Sequence, residues 1–211
     1  MKAQTKAESD PKPVRERIMH AAMQAFMELG YAEASTLEIA TRAQVSKREL
    51  YALFGSKQAM LAACVTDRAQ RMRMTAELPR ARSREMLAMV LSKLGATILR
   101  EVTDPVVMGV FRLAITEAQR APEVARTLET AREAVRETVY NVVTQAQVDG
   151  LLAAGDPAEI AGRYFGLLWG DLMVSVLLRI REAPGPQESE RRGRDAATNL
   201  LRLHPEAPAA T

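Results

Sequence analysis

Residues Ser35–Lys57 read STLEIATRAQVSKRELYALFGSK, and this stretch decides the fold. Ser35-Thr36-Leu37-Glu38 has the form of a capping box, in which a hydroxyl and a carboxylate three residues apart satisfy each other's orphan amides. Ser46-Lys47-Arg48-Glu49 repeats it. Ile39, Ala40 and Ala43 give the first segment an apolar helical face, and Leu50 and Phe54 give the second its own. Only Ala43-Gln44-Val45-Ser46 is left for the connection. Two short helices joined this tightly form a helix-turn-helix.

The second helix, expected from about Lys47 to Phe54, carries the informative surface. In this geometry the leading residues of the second helix meet base edges in the major groove of duplex DNA. Lys47 and Arg48 are of the types that read guanine O6 and N7 or neutralise phosphate, and Tyr51 lies one turn further on. Ser56-Lys57 opens another helix, whose first amides and Lys57 ammonium suit an anionic phosphate. The same spacing also fits a helical hairpin with a solvated charged face, and spacing alone leaves both readings open.

The ordered set Ile39-Ala40-x-x-Ala43-x-Val45-Ser46-Lys47-x-x-Leu50-Tyr51-x-x-Phe54-x-Ser56-Lys57 resembles the N-terminal DNA-binding domain of the TetR family of bacterial repressors. The resemblance implies double-stranded DNA, in the form of a palindromic operator, as the partner. It makes Thr36, Ser46, Lys47, Arg48, Tyr51 and Lys57 the candidate DNA-binding residues. Two positions depart from the family pattern. Gln44 stands where glycine is usual, without glycine's freedom at positive φ. Glu49 stands where a small residue is usual; its carboxylate suits either cytosine N4 or the capping box, and the box is the expected use.

Outward from this stretch, composition sets the class. The 211 residues are 47% apolar and only 4% aromatic, rich in strong helix formers, which favours an all-α fold. A net charge of +3 permits nucleic acid without demanding it. The single cysteine, Cys64, excludes an internal disulfide, fits a reducing cytoplasm, and reads as an apolar filler in a helix. The first residues lack the apolar run of a secretory signal. Tyr164–Leu178, the most apolar stretch, is too short and too charged at Asp171 to span a bilayer. No membrane partner is therefore expected.

Residues 1–12 read as a flexible tail, in which Lys2, Lys6 and Lys12 form either a basic arm or a tail without a role. A helix starts near Pro13, a good first-turn residue, and runs to Gly30. Arg15 and Arg17 near its start are suited equally to phosphate and to plain solvation. From Ser56 a further helix leads into Arg68–Arg84, a run with six arginines, read as exposed helix and linker. Helices are expected at about 84–102, 105–120, 122–148, 157–182 and 188–203. Asp104-Pro105 and Asp156-Pro157 mark two starts, and Glu159 completes a box with Asp156. The expected organisation is a tail to residue 12, a three-helix DNA-binding domain at 13–60, a larger helical domain at 61–205, and a tail at 206–211.

In TetR-like proteins the larger domain binds a small-molecule effector and forms a homodimer. Gly109–Ala125, GVFRLAITEAQRAPEVA, is similar to one C-terminal subgroup, the AefR-like one. That implies helices near 84–120 and 157–182 lining a cavity, with Met89, Met108, Phe111, Phe165, Trp169 and Met173 as candidate ligand-binding residues. Methionine adapts to varied apolar shapes; the alternative for each is ordinary core. Asp171 has three open readings: orienting a ligand, pairing with an arginine, or facing water. Leu167, Leu168, Val174, Leu178, Ala197, Leu200 and Leu201 are available to a dimer interface or to the monomer core.

An enzyme is the competing reading, and the residues offer it little. There is no HExxH, no Glu-x-x-His set, no Cys/His pair at useful spacing and no glycine-rich phosphate loop. No catalytic residue, metal ligand or cofactor is expected. A helical interaction module with a vestigial DNA-binding domain is the third reading, supported only by Gln44 and Glu49.

Overall fold

The computed structural model describes residues 11–74 and 78–206, with side chains described for 13–67 and 78–206. Of the expected tails, residues 1–10, with Lys2 and Lys6, and 207–211 lie outside the described residues, as do the side chains of Lys12, Arg68, Arg71 and Arg73; the tail expected to reach residue 12 ends earlier, since α1 starts at Pro11. Every regular element is a helix: α1 (Pro11–Leu29), α2 (Thr36–Ala43), α3 (Lys47–Phe54), α4 (Lys57–Met74), α5 (Arg84–Val102), α6 (Pro105–Thr116), α7 (Pro122–Val148), α8 (Pro157–Trp169), α9 (Leu172–Leu177) and α10 (Pro186–Leu203). No described residue is in a strand. The chain divides into two compact units, residues 1–68 with 112–128, and residues 69–111 with 129–211.

In the first unit the apolar positions of α1 to α4 meet in one core. Ile18, Ala22, Ala25 and Phe26 of α1 are fully buried, as are Ile39 of α2, Leu50 of α3 and Met60 of α4. The rings of Phe26 and Tyr31 pack with centroids 5.3 Å apart and planes tilted by 49°. Cys64 is buried with its thiol donating to Met19 O at 3.3 Å. Burial pushes that thiol up to about 12, with Asp67 adding to the shift. Its surroundings are those of the expected apolar filler.

The second unit is built around two glycines. A Cβ on Gly193 of α10 would stand closer to Ser92 O on α5 than van der Waals contact allows, and 3.0 Å from Ala96 N. One on Gly95 of α5 would meet the Tyr164 hydroxyl, and would lie 3.2 Å from Gly193 Cα. The two helices therefore approach backbone to backbone, as only glycine allows. Buried Ser189, Ala196 and Ala197 extend the small-residue face of α10. Tyr164 of α8 is fully buried and donates its hydroxyl to Leu91 O at 2.6 Å; desolvation raises its pKa well above the usual value. Arg84, at the first turn of α5, donates to the carbonyls of Leu151, Leu201 and His204. That fixes the end of α10, whose last carbonyls would otherwise go unsatisfied.

Three local expectations are corrected. The single helix expected over 157–182 is two, because Gly170 takes φ 49 and ψ −126 and ends α8 before α9 begins. The helix expected to reach residue 120 stops at Thr116, and turns occupy 117–120. The boxes expected at Ser35–Glu38 and Asp156–Glu159 are half formed. Ser35 accepts from Glu38 N and Asp156 from Ala158 N, but Glu38 and Glu159 turn their carboxylates to Arg42 and Arg163, one helical turn on.

Candidate nucleic-acid interface and apolar cavity

The connection between α2 and α3 is made by Gln44. It adopts φ 55 and ψ 47, the left-handed region usually reserved for glycine. Val45 N then donates to Ala40 O at 3.0 Å and closes the last turn of α2. Arg17 of α1 donates Nε to Ala43 O at 3.2 Å, satisfying another terminal carbonyl. Arg15 lies with its guanidinium 5.4 Å from the Phe54 ring centroid. Neither arginine is plainly solvated. Arg42 pairs with Glu38 at 2.8 Å and with Glu28 at 2.6 Å, tying α2 to α1.

At the start of α3 the full capping box forms. Ser46 Oγ accepts from Glu49 N at 3.1 Å, and Glu49 Oε2 accepts from Ser46 N at 2.8 Å and from Ser46 Oγ at 2.7 Å. Glu49 thus serves the box, as expected, and Ser46 is committed to it. Lys47 and Arg48 are exposed and make no hydrogen bond or ion pair among the described residues. Tyr51 is 44% exposed, and its hydroxyl lies 3.1 Å from Thr36 Oγ1 at the first turn of α2. Thr36, Lys47, Arg48 and Tyr51 therefore belong to one surface, with Leu50 and Phe54 buried beneath α3.

Lys57 is placed differently. Its ammonium donates to Tyr31 O at 2.8 Å, Ala32 O at 3.1 Å and Ala34 O at 3.3 Å, and lies 4.6 Å from the Tyr31 ring centroid. A lysine has three donors, and all three meet carbonyls. The segment it holds is also met by the turn after α6 and by the first turn of α7, both in the same unit. Buried Glu117 accepts from Ala32 N at 3.5 Å through Oε1, and its Oε2 has no hydrogen-bond partner among the described residues. A hydrogen bond from its own backbone amide, followed by bonds accepted from Gln58 and Tyr31, holds the Glu123 carboxyl below the usual range. Burial first and Glu123 second raise Tyr31 to about 12. Both glutamates lie within Gly109–Ala125, the stretch similar to the AefR-like subgroup, but nothing in that stretch marks them as partners of Tyr31 and Ala32.

The second unit contains a cavity of about 750 Å³. Phe111, Phe165, Trp169 and Met173 line it, together with Val102, Val135 and Tyr140. Two of the six predicted residues do not. Met108 is 2% exposed and packed into the core, while Met89 is 56% exposed on the far side of the α5 stripe that carries Leu87 and Leu91. Both lie on helices that do line the space or its core, but their faces point elsewhere. Asp171 is exposed, makes no cap hydrogen bond and is not a wall of the cavity. Arg132, Arg136 and Glu137 supply the charged part of the lining and were not anticipated. Their signal was the spacing Glu129, Arg132, Arg136, which places all three on one helical face. Among the described residues no group of His, Cys, Asp and Glu is disposed to hold a metal ion, and no described helix is long and apolar enough to cross a membrane.

Comparison with known proteins agrees with both halves of this description. Residues 18–64 match the family model for bacterial regulatory proteins of the tetR family. Residues 89–203 match the C-terminal domain of AefR-like transcriptional repressors. The chain is 22% identical over 177 residues to YvkB, an HTH-type transcriptional regulator of Bacillus subtilis, covering 84% of this chain and 90% of that protein. A TetR transcriptional regulator from Agrobacterium tumefaciens superposes with a TM-score of 0.74 at 26% identity, over 91% of this chain and 95% of that one. The flavonoid-responsive regulator FrrA gives a TM-score of 0.77 at 24% identity, over 94% of this chain and all of that one, and shares the fold. These families are regulators and not enzymes.

Proposed function

Because the chain belongs to the TetR family of bacterial transcriptional regulators, we propose that it is a cytoplasmic, dimeric repressor released from a palindromic operator by a small molecule. The single observation that carries the DNA-binding part is the leading end of α3. Lys47 and Arg48 stand exposed there without partners among the described residues, on a helix whose other face is buried. Thr36, Lys47, Arg48 and Tyr51 are assigned direct contact with DNA. Ser46 caps the helix that presents them, and Lys57 braces the segment before α2. Residues 13–60 form the DNA-binding domain and 61–205 the effector and dimerisation domain in this reading.

One helix-turn-helix makes few base and phosphate contacts, and two copies about 34–36 Å apart read both halves of a palindrome. Exposed apolar residues support a partner copy: Leu167, Val174 and Leu178 are 37%, 59% and 64% exposed. Leu168, Ala197 and Leu200 are wholly buried within the second unit and are assigned to its core. The cavity supports an effector site, being large, concave and mostly apolar. Effector binding favours a dimer conformation whose α3 helices no longer match the operator, so DNA affinity falls by population shift.

The test is a nuclease footprint of the purified full chain on DNA flanking its own gene. The expected result is protection of two symmetric half-sites one helical turn apart. Equal affinity for that DNA and for an unrelated duplex would remove the operator from the reading.

A further inference from the structure

The cavity wall is apolar except at one place on α7. Arg132 and Arg136, one turn apart, both line it, and both reach the same carboxylate. Glu129 Oε2 accepts from Arg132 Nη1 at 2.7 Å, while Oε1 accepts from Arg136 Nη1 at 2.7 Å and Nη2 at 2.9 Å. Two guanidinium charges thus converge on a single carboxylate charge. Glu129 itself is not among the lining residues, whereas both arginines are. The three side chains are 42–49% exposed, and ion pairs this open to water are weakly held and readily exchanged.

We propose that the cavity takes an organic anion with an apolar body, whose acidic group is seated on Arg132 and Arg136 in place of the Glu129 carboxylate. The inference rests on the reading of the cavity as the effector site. Glu129 marks where a carboxylate fits, because guanidinium groups bind carboxylates through paired, directional N–H bonds. A ligand acid that replaces it also inserts its body among Phe111, Phe165, Trp169 and Met173, a gain that Glu129 does not offer. Glu129 then acts as a built-in competitor: it keeps the arginines ordered in the empty site and sets a threshold that a neutral apolar molecule gains nothing by crossing. A cationic ligand has little to meet, since Glu137 is the only acidic residue in the lining and already has an interaction of its own.

Trp169 is the only tryptophan in the chain and lines the cavity, so its fluorescence reports occupancy. The probes are dodecanoic acid and methyl dodecanoate, and 2-naphthoic acid and its methyl ester, titrated at pH 7 into the full-length protein. Within at least one pair the acid is expected to bind tenfold or more tightly than its ester. Arg136→Gln brings that ratio near one by weakening the acid alone. Glu129→Gln, which removes the competitor, strengthens the acid several-fold and leaves the ester unchanged. Equal binding of acid and ester to the wild-type protein, or an acid affinity unmoved by Glu129→Gln, overturns the proposal while keeping the cavity as a binding site. If no probe alters the Trp169 signal, the effector-site reading falls and takes this one with it.

Discussion

The hydroxyls of Thr36 and Tyr51 lie 3.1 Å apart, joining the first turn of α2 to the middle of α3 across fifteen residues of chain. The bond links the two helices on the exposed surface that carries Lys47 and Arg48. It fixes the ring of Tyr51, and so sets the direction from which the hydroxyl meets a duplex. Tyr51→Phe keeps the ring and loses the bond. Since a hydrogen bond is worth about 0.5–1.5 kcal/mol net, operator affinity is expected to fall roughly 2- to 12-fold. Thr36→Val is expected to lower it as well, and the double variant to lose less than the sum of the two, because beside their separate DNA contacts the two share one interaction. Binding isotherms on the four proteins give this cycle directly.

Gln44 is held at φ 55 by the tightness of the turn between α2 and α3. A residue with a Cβ pays about 1–2 kcal/mol in this region, and glycine gives back about 0.5–1 kcal/mol through its freer unfolded chain. Gln44→Gly is therefore expected to stabilise the protein by about 0.5–1 kcal/mol. For a chain of this size that raises Tm by roughly 1–4 °C, measured by thermal melting.

Gly193 leaves no room for a side chain against Ser92 and Ala96. The obstruction is backbone, which cannot rotate aside. Gly193→Ala is expected to cost about 1–3 kcal/mol as overpacking, despite alanine's better helix propensity. An exposed control on the same helix, Asn199→Ala, is expected to stay within about 0.5 kcal/mol of wild type. Chemical denaturation of both separates packing from propensity.

Cys64 and Tyr31 are both raised to about 12. In the folded protein each keeps its proton where the unfolded chain loses it. The folded state therefore binds more protons above the ordinary values of 9.0 and 10.0. The stability these groups contribute is complete below pH 9 and is lost as pH rises from 9 towards 12. At pH 8 the thiolate fraction of folded Cys64 is on the order of 10⁻⁴. A thiol reagent such as dithiobis-nitrobenzoate is expected to react with Cys64 only after the protein is unfolded.

Much of the fold was legible because its signals are local. Ser46 and Glu49 sit at the spacing that closes a capping box, and the box forms. Pro105, Pro122, Pro157 and Pro186 each open a helix, where a missing amide proton costs nothing. The same local logic failed at Gly170, since one glycine inside a long apolar run is usually tolerated, and nothing nearby in sequence announces the break. It failed again at Glu38 and Glu159, where arginines one turn away compete successfully for the carboxylates. The site was legible only in part, for a similar reason. Lys47, Arg48 and Tyr51 are exposed by the spacing of α3 alone. Lys57 has the same residue type, but its fate is set by Tyr31, Ala32 and Ala34, more than twenty residues away. Met89 and Met108 fit the composition of a pocket, while the faces they occupy depend on how α5 and α6 pack. The grouping of residues 112–128 with the first unit follows from contacts such as Glu117 with Ala32, which leave no trace in the order of residues.

The leading end of α3 is the part of the chain assigned to reading duplex DNA. Fluorescence anisotropy on a labelled duplex from the flanking DNA tests that assignment most directly, with wild type, Lys47→Ala and Tyr51→Ala compared at one fixed salt concentration. Each variant is expected to lose at least tenfold in affinity, with circular dichroism and Tm unchanged. Wild-type affinity in both variants would contradict the assignment.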